Sequence, residues 1–112
     1  MKILVTGGRD FRDKDLLYKA LDSVKAKKGI SLLIQGGAKG ADSLAKQWCI
    51  ERGVHSCQVD ALWDSFGKAA GHRRNATMLM LSPDGCVAFK GGRGTEGMID
   101  MCEKKGVVVW RV

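Results

Sequence analysis

No apolar run in this chain approaches the roughly 18 residues of a membrane span, which excludes a spanning helix. The chain also lacks any Cys-x-x-Cys pair. Its four cysteines, Cys49, Cys57, Cys86 and Cys102, are scattered, and His55 and His72 stand apart from them, so no metal site is expected. They read as free thiols of a soluble cytoplasmic protein, and no membrane contact is expected. The phosphate-loop pattern G-x-x-x-x-G-K-[ST] is missing as well, which removes a nucleoside triphosphatase. G-x-G-x-x-G occurs once, from Gly92 to Gly97, but after the fourth strand-like run and not in the first strand-to-helix turn of the dinucleotide fingerprint, so an ordinary nicotinamide enzyme is not indicated and no cofactor is implied.

Acidic residues are in short supply: 12 Asp and Glu stand against 19 Lys and Arg, a net charge of +7 that favours anionic partners. The bases are spread out. Lys25, Lys27 and Lys28 end one helix-like stretch, and Lys104 and Lys105 another, where the helix dipole accounts for them. Only Arg73 and Arg74 with Lys68 form a mid-chain group. The 3 tryptophans and 3 phenylalanines are not interleaved with bases as a single-strand stacking platform requires. Charge alone therefore fits a small anion at least as well as a polymer, and nucleic acid is the less favoured partner.

What the chain does have is alternation. Its 112 residues make one domain, 1–112, with enough chain for a real core. Strand-like runs are expected at Ile3–Thr6, Leu32–Gln35, Val54–Asp60, Cys86–Phe89 and Val107–Val112. Helices are expected at Asp13–Lys28, Ala41–Arg52, Ala69–Leu81 and Thr95–Lys105. Ala61–Gly71 lacks periodicity and reads as a long loop. Central strands that are continuous apolar runs predict a parallel sheet covered on both faces. The expected fold class is α/β, a single-domain three-layer sandwich with a five-stranded parallel sheet in the order 3-2-1-4-5.

Three doubled glycines close three of those strands: Gly7-Gly8, Gly36-Gly37 and Gly91-Gly92. Each is followed by a base, Arg9, Lys39 or Arg93, and then by a helix. Backbone amides, helix starts and cations would thus converge on one phosphate. Tight-turn geometry is the alternative explanation for any one pair taken singly. The expected binding set is Gly7, Gly8, Arg9, Asp10, Gly36, Gly37, Lys39, Gly40, Asp42, Arg74, Asn75, Gly91, Gly92, Arg93, Gly94 and Thr95. Within it, Arg74 suits a phosphate and Asn75 a base edge. Thr95 suits either a phosphate or a helix cap, and Asp42 either a ribose hydroxyl or the dipole of its own helix. Trp63 is a candidate to stack on a base, or a core tryptophan. Phe11 reads as a packing plug.

Four ordered motifs carry a resemblance. They are Thr6-Gly7-Gly8-Arg9-Asp10-Phe11, then Gly36 to Ala45, then Gly67-Lys68-Ala69-Ala70-Gly71 with Arg74-Asn75, then Phe89 to Thr95. Together they resemble the YspA/YpsA-related branch of the SLOG superfamily. The resemblance implies a Rossmann-like domain that binds, senses or processes a nucleotide or nucleotide-derived ligand. Superfamily relatives include the LOG phosphoribohydrolases, which cleave the glycosidic bond of nucleoside 5′-monophosphates, and the DprA proteins, which bind single-stranded DNA. The LOG pattern P-G-G-x-G-T-x-x-E is altered here, with Lys90 in place of the proline and Met98 in place of the catalytic glutamate. Asp42 and Glu96 are the carboxylates left to a catalytic reading. A small sensor of this kind needs a partner protein or a homo-oligomer, and the faces bearing Trp48 or Trp110 are candidate seams.

Overall fold

The computed structural model describes all 112 residues. Five strands alternate with helices. They are β1 (Lys2–Thr6), β2 (Leu32–Gln35), β3 (His55–Gln58), β4 (Gly85–Ala88) and β5 (Val108–Arg111). The helices are α1 (Lys14–Lys28), α2 (Ala41–Arg52), the single-turn α3 (Trp63–Phe66), α4 (Ala70–Met80) and α5 (Arg93–Lys104). All strands pair in parallel in the order β3-β2-β1-β4-β5, the expected Rossmann-like arrangement.

The three central strands are apolar because both their faces are covered. On one side Ile3, Val5, Leu33, Val87 and Phe89 pack with Leu17 and Leu21 of α1 and Ala41, Ala45, Trp48 and Cys49 of α2. On the other, Leu4, Ile34 and Cys86 pack with Met78 of α4 and Met98 and Cys102 of α5. Burial of such side chains stabilises the fold by roughly 1.5–3 kcal/mol each. Helix ends follow local chemistry: the Asp13 carboxylate accepts from Leu16 N–H to start α1, and Gly53 closes α2 in the left-handed conformation.

Several expectations are corrected. The third strand is shorter than Val54–Asp60, because its residues lie at a sheet edge and only His55–Gln58 pair with β2. The presumed loop 61–71 contains α3 and a 3-10 turn at Gly67–Ala69, none of whose residues is buried, so no apolar periodicity marks them. The last helix begins at Arg93, two residues before Thr95. Trp48 offers no seam between protomers. It is fully buried, and its indole N–H donates to Asp22 at 2.9 Å.

Candidate functional site

The strand order reverses direction between β1 and β4, so the loops leaving those two strands diverge and open a crevice at their C-terminal ends. A cavity of about 550 Å³ lies there, walled by the first loop, α4 and the start of α5. Gly7, Gly8, Arg9, Asp42, Arg74, Asn75, Gly92, Arg93, Gly94 and Thr95 of the expected set line it. Asp10, Gly36, Gly37, Lys39, Gly40, Gly91 and Glu96 stand outside its wall.

The glycines of the three loops serve three different tasks. Gly8 and Gly91 are where the first and fourth loops cross. Gly8 N–H donates to Lys90 O at 2.9 Å, and a Cβ on Gly91 would stand 2.7 Å from Gly8 N. Gly36 makes room for Arg74: a Cβ there would overlap the guanidinium, whose Nη1 donates to Gly36 O at 2.6 Å. Gly92 and Gly94 have open space where a side chain would be. These two present bare backbone to the cavity.

Asp42 engages the amides of the second loop. Its Oδ2 accepts from Gly36 N–H and Ala38 N–H, both at 3.2 Å, so the amides that would cradle a phosphate are already engaged. Gly37 N–H is likewise engaged, by Gln35 Oε1 at 2.5 Å. Burial pushes the Asp42 carboxyl above its ordinary pKa, against the Ala38 N–H, the nearby Arg74 guanidinium, the Gly36 N–H and Arg9.

Arg74 is held at two points. Its Nε donates to Asn75 Oδ1 at 3.0 Å, and Asn75 Nδ2 donates to Gly94 O at 3.3 Å. Asn75 thereby ties α4 to the first turn of α5. Of the five guanidinium donors of Arg74, three are left for the cavity.

The first turn of α5 faces the cavity uncapped. Its cap residue is Gly92, which has no side chain to close the helix amides, and Thr95 is buried in the third helical position rather than at the cap. Arg9, Lys68, Arg74 and Arg93 set four cations around the cavity against the single carboxylate of Asp42. Glu96 takes no part, since it leans outward to Arg111 at 3.1 Å. Met98 is fully buried in the core, so the position that the LOG pattern gives to glutamate faces away from this cavity.

A family model described as YspA, cpYpsA-related SLOG family matches residues 1–66. The chain belongs to this SLOG family. The Gene 61 protein of Mycobacterium phage D29 is 32% identical over 116 residues, covering 96% of this chain and 93% of its own. No solved structure matches the chain. The residues matched by the SLOG family model hold the first two loops and Trp63, while the phage relative extends the likeness through α4 and α5.

Cavity residues outside the expected set are Trp63, Lys68, Gly71, His72, Met78, Gly97 and Met101, with Val5, Thr6 and Ala38 from the strand end and second loop. Gly71, Asn75 and Met78 recur at helical spacing on α4, as Gly94, Gly97 and Met101 do on α5. Gly97 carries a legible signal: a mid-helix glycine costs about 0.5–1 kcal/mol relative to alanine and needs a reason. Here a Cβ would meet nothing within 4 Å, so packing supplies none.

Proposed function

We propose that this SLOG protein binds a nucleotide or nucleotide-derived ligand in the cavity between α4 and α5, with the phosphate at the first turn of α5. One observation carries the reading: the α5 amides at Gly92–Thr95 are uncapped, Gly92 and Gly94 among them are bare of side chains, and they border a cavity with four cations and one carboxylate. Oriented amides and the helix dipole favour an anion, and Arg93 and Arg9 add charge. Arg74 adds a guanidinium fork already fixed by Gly36 and Asn75. The family supports the ligand class.

A second reading follows from Asp42. It is the one carboxylate on the cavity wall, so a LOG-like cleavage of a nucleoside 5′-monophosphate would depend on it alone. Its engagement with two backbone amides and the core placement of Met98 favour binding over hydrolysis.

The test is thermal unfolding with nucleoside mono-, di- and triphosphates, cyclic nucleotides, dinucleotides and a short single-stranded DNA. A ligand at about 100 times its Kd adds roughly 2.7 kcal/mol, a rise in Tm of several degrees. A rise with one nucleotide class supports the pocket, and released base under the same conditions supports hydrolysis. A rise only with the oligonucleotide, falling steeply with salt, replaces both readings with nucleic-acid binding.

A further inference from the structure

Trp63 is 48% exposed although it is the largest side chain on its element. α3 has no buried residue, so the core does not hold it in place. Two surface contacts with α4 do. The Arg73 guanidinium lies 4.3 Å from the centroid of the Phe66 ring, and the Trp63 indole edge approaches Gly71 so closely that a Cβ there would stand 3.3 Å from Cη2. These contacts set the indole on the cavity wall. Opposite it, Arg9 Cζ sits 5.6 Å from the ring centroid, and no salt bridge ties Arg9 elsewhere.

We infer that Trp63 and Arg9 form the subsite for the planar base of the ligand, closing on it from its two faces. This rests on the nucleotide reading above. Indole and guanidinium planes are the two surfaces on which unpaired bases stack, and the pairing is tolerant of base identity because every base has a π face. A ring held between them needs about 7 Å, two layers at the ~3.5 Å contact distance of carbon atoms. Arg9 must therefore withdraw by about 1.5 Å, within the reach of one exposed side chain on a loop. Without a ligand, Arg9 covers the indole through a cation–π contact and limits its exposure. The arrangement orients the ligand, with its base at α3 and its phosphate toward Arg93 and the start of α5. A sugar phosphate without a base would offer these two planes nothing.

The probes are the four nucleoside 5′-monophosphates and ribose 5-phosphate, titrated calorimetrically and by tryptophan fluorescence into wild type, Trp63→Ala and Trp63→Phe. Trp63→Phe also supplies the emission background of Trp48 and Trp110. At least one nucleotide is expected to bind wild type about tenfold tighter than ribose 5-phosphate and to quench emission that Trp63→Phe lacks. Trp63→Ala is expected to weaken that nucleotide about tenfold, to leave ribose 5-phosphate within about twofold, and to recover most affinity when phenylalanine replaces the alanine. Equal binding of nucleotide and sugar phosphate, or an equal loss of both in Trp63→Ala, overturns the base subsite and leaves the phosphate site standing. If neither binds wild type, both readings fall. Quenching in wild type decides the matter even if Trp63→Ala does not fold.

Discussion

α2 and α5 both follow a doubled-glycine loop, are both 12 residues long, and both have a glycine cap without a side-chain hydrogen bond. Their first turns nevertheless serve opposite ends. At α2, Ala41 N–H donates to Gly8 O at 3.3 Å, and the buried Asp42 carboxylate folds back onto the amides of the preceding loop. That helix start is a structural joint. At α5 the corresponding space is empty, and Gly92, Gly94 and Arg93 face the cavity. The same sequence signature therefore builds a closed corner once and an open helix start once. What separates them is whether a carboxylate six residues downstream of the first amide reaches back to occupy it.

Breaking the closed corner should have the largest effect. A Cβ on Gly40, whose φ is +79°, would stand 2.2 Å from Gly8 O. Gly40→Ala is expected to lose about 3 kcal/mol or more through strain and overlap with backbone, a fall in Tm of roughly 10 °C. An unchanged Tm in that variant would show that the first and second loops do not depend on this crossing. Asp42→Ala should lose about 2 kcal/mol, since it strands two amides that have no other partner. Urea denaturation reads it, and a change under 0.5 kcal/mol, roughly the noise of surface substitutions, would remove Asp42 from the joint.

Arg93→Ala sharpens the other side of the comparison. It is expected to weaken a bound nucleotide about tenfold by calorimetry while stability stays within about 0.5 kcal/mol, because Arg93 is exposed and enters no salt bridge. Retained affinity would place the phosphate elsewhere. Gly94→Ala should raise stability by about 0.5 kcal/mol and yet lower affinity several-fold, as its methyl group would enter the open space at the proposed phosphate site. A rise in both would mean that the bare helix start serves no ligand.

The smallest effect is a pH dependence. Burial raises the Asp42 pKa in the folded chain, so the folded state holds the proton more tightly than the unfolded one. Its contribution to stability is present below the unfolded pKa, near 4, and is lost as pH rises through the folded value. Asp42→Asn does not titrate, so its Tm relative to wild type should increase between about pH 4 and pH 7. A difference that stays flat or declines would contradict the raised pKa.

Much of the layout is legible in local pattern. The alternation of apolar strand runs with 3.6-residue stripes makes a parallel α/β sheet legible, its strand order is the expected one, and Phe11 does pack on Phe89, with ring centroids 5.1 Å apart. α3 was not legible because a single exposed turn has no buried stripe to repeat. Trp63 and Trp48 have the same side chain, and only the packing around them made one a core residue and the other a cavity wall.

By itself the sequence determined the fold class, the three glycine loops at one rim of the sheet and the surplus of positive charge, because strand and helix periodicity and turn chemistry act over a few residues. Only the tertiary structure decided which loop keeps its amides free. Arg74 reaches Gly36 O across 38 residues, and the first and fourth loops cross at Gly8 and Lys90, so the hydrogen bonds of each loop are settled by partners far away in the chain. A backbone amide is open to a ligand only if nothing else in the folded chain has taken it.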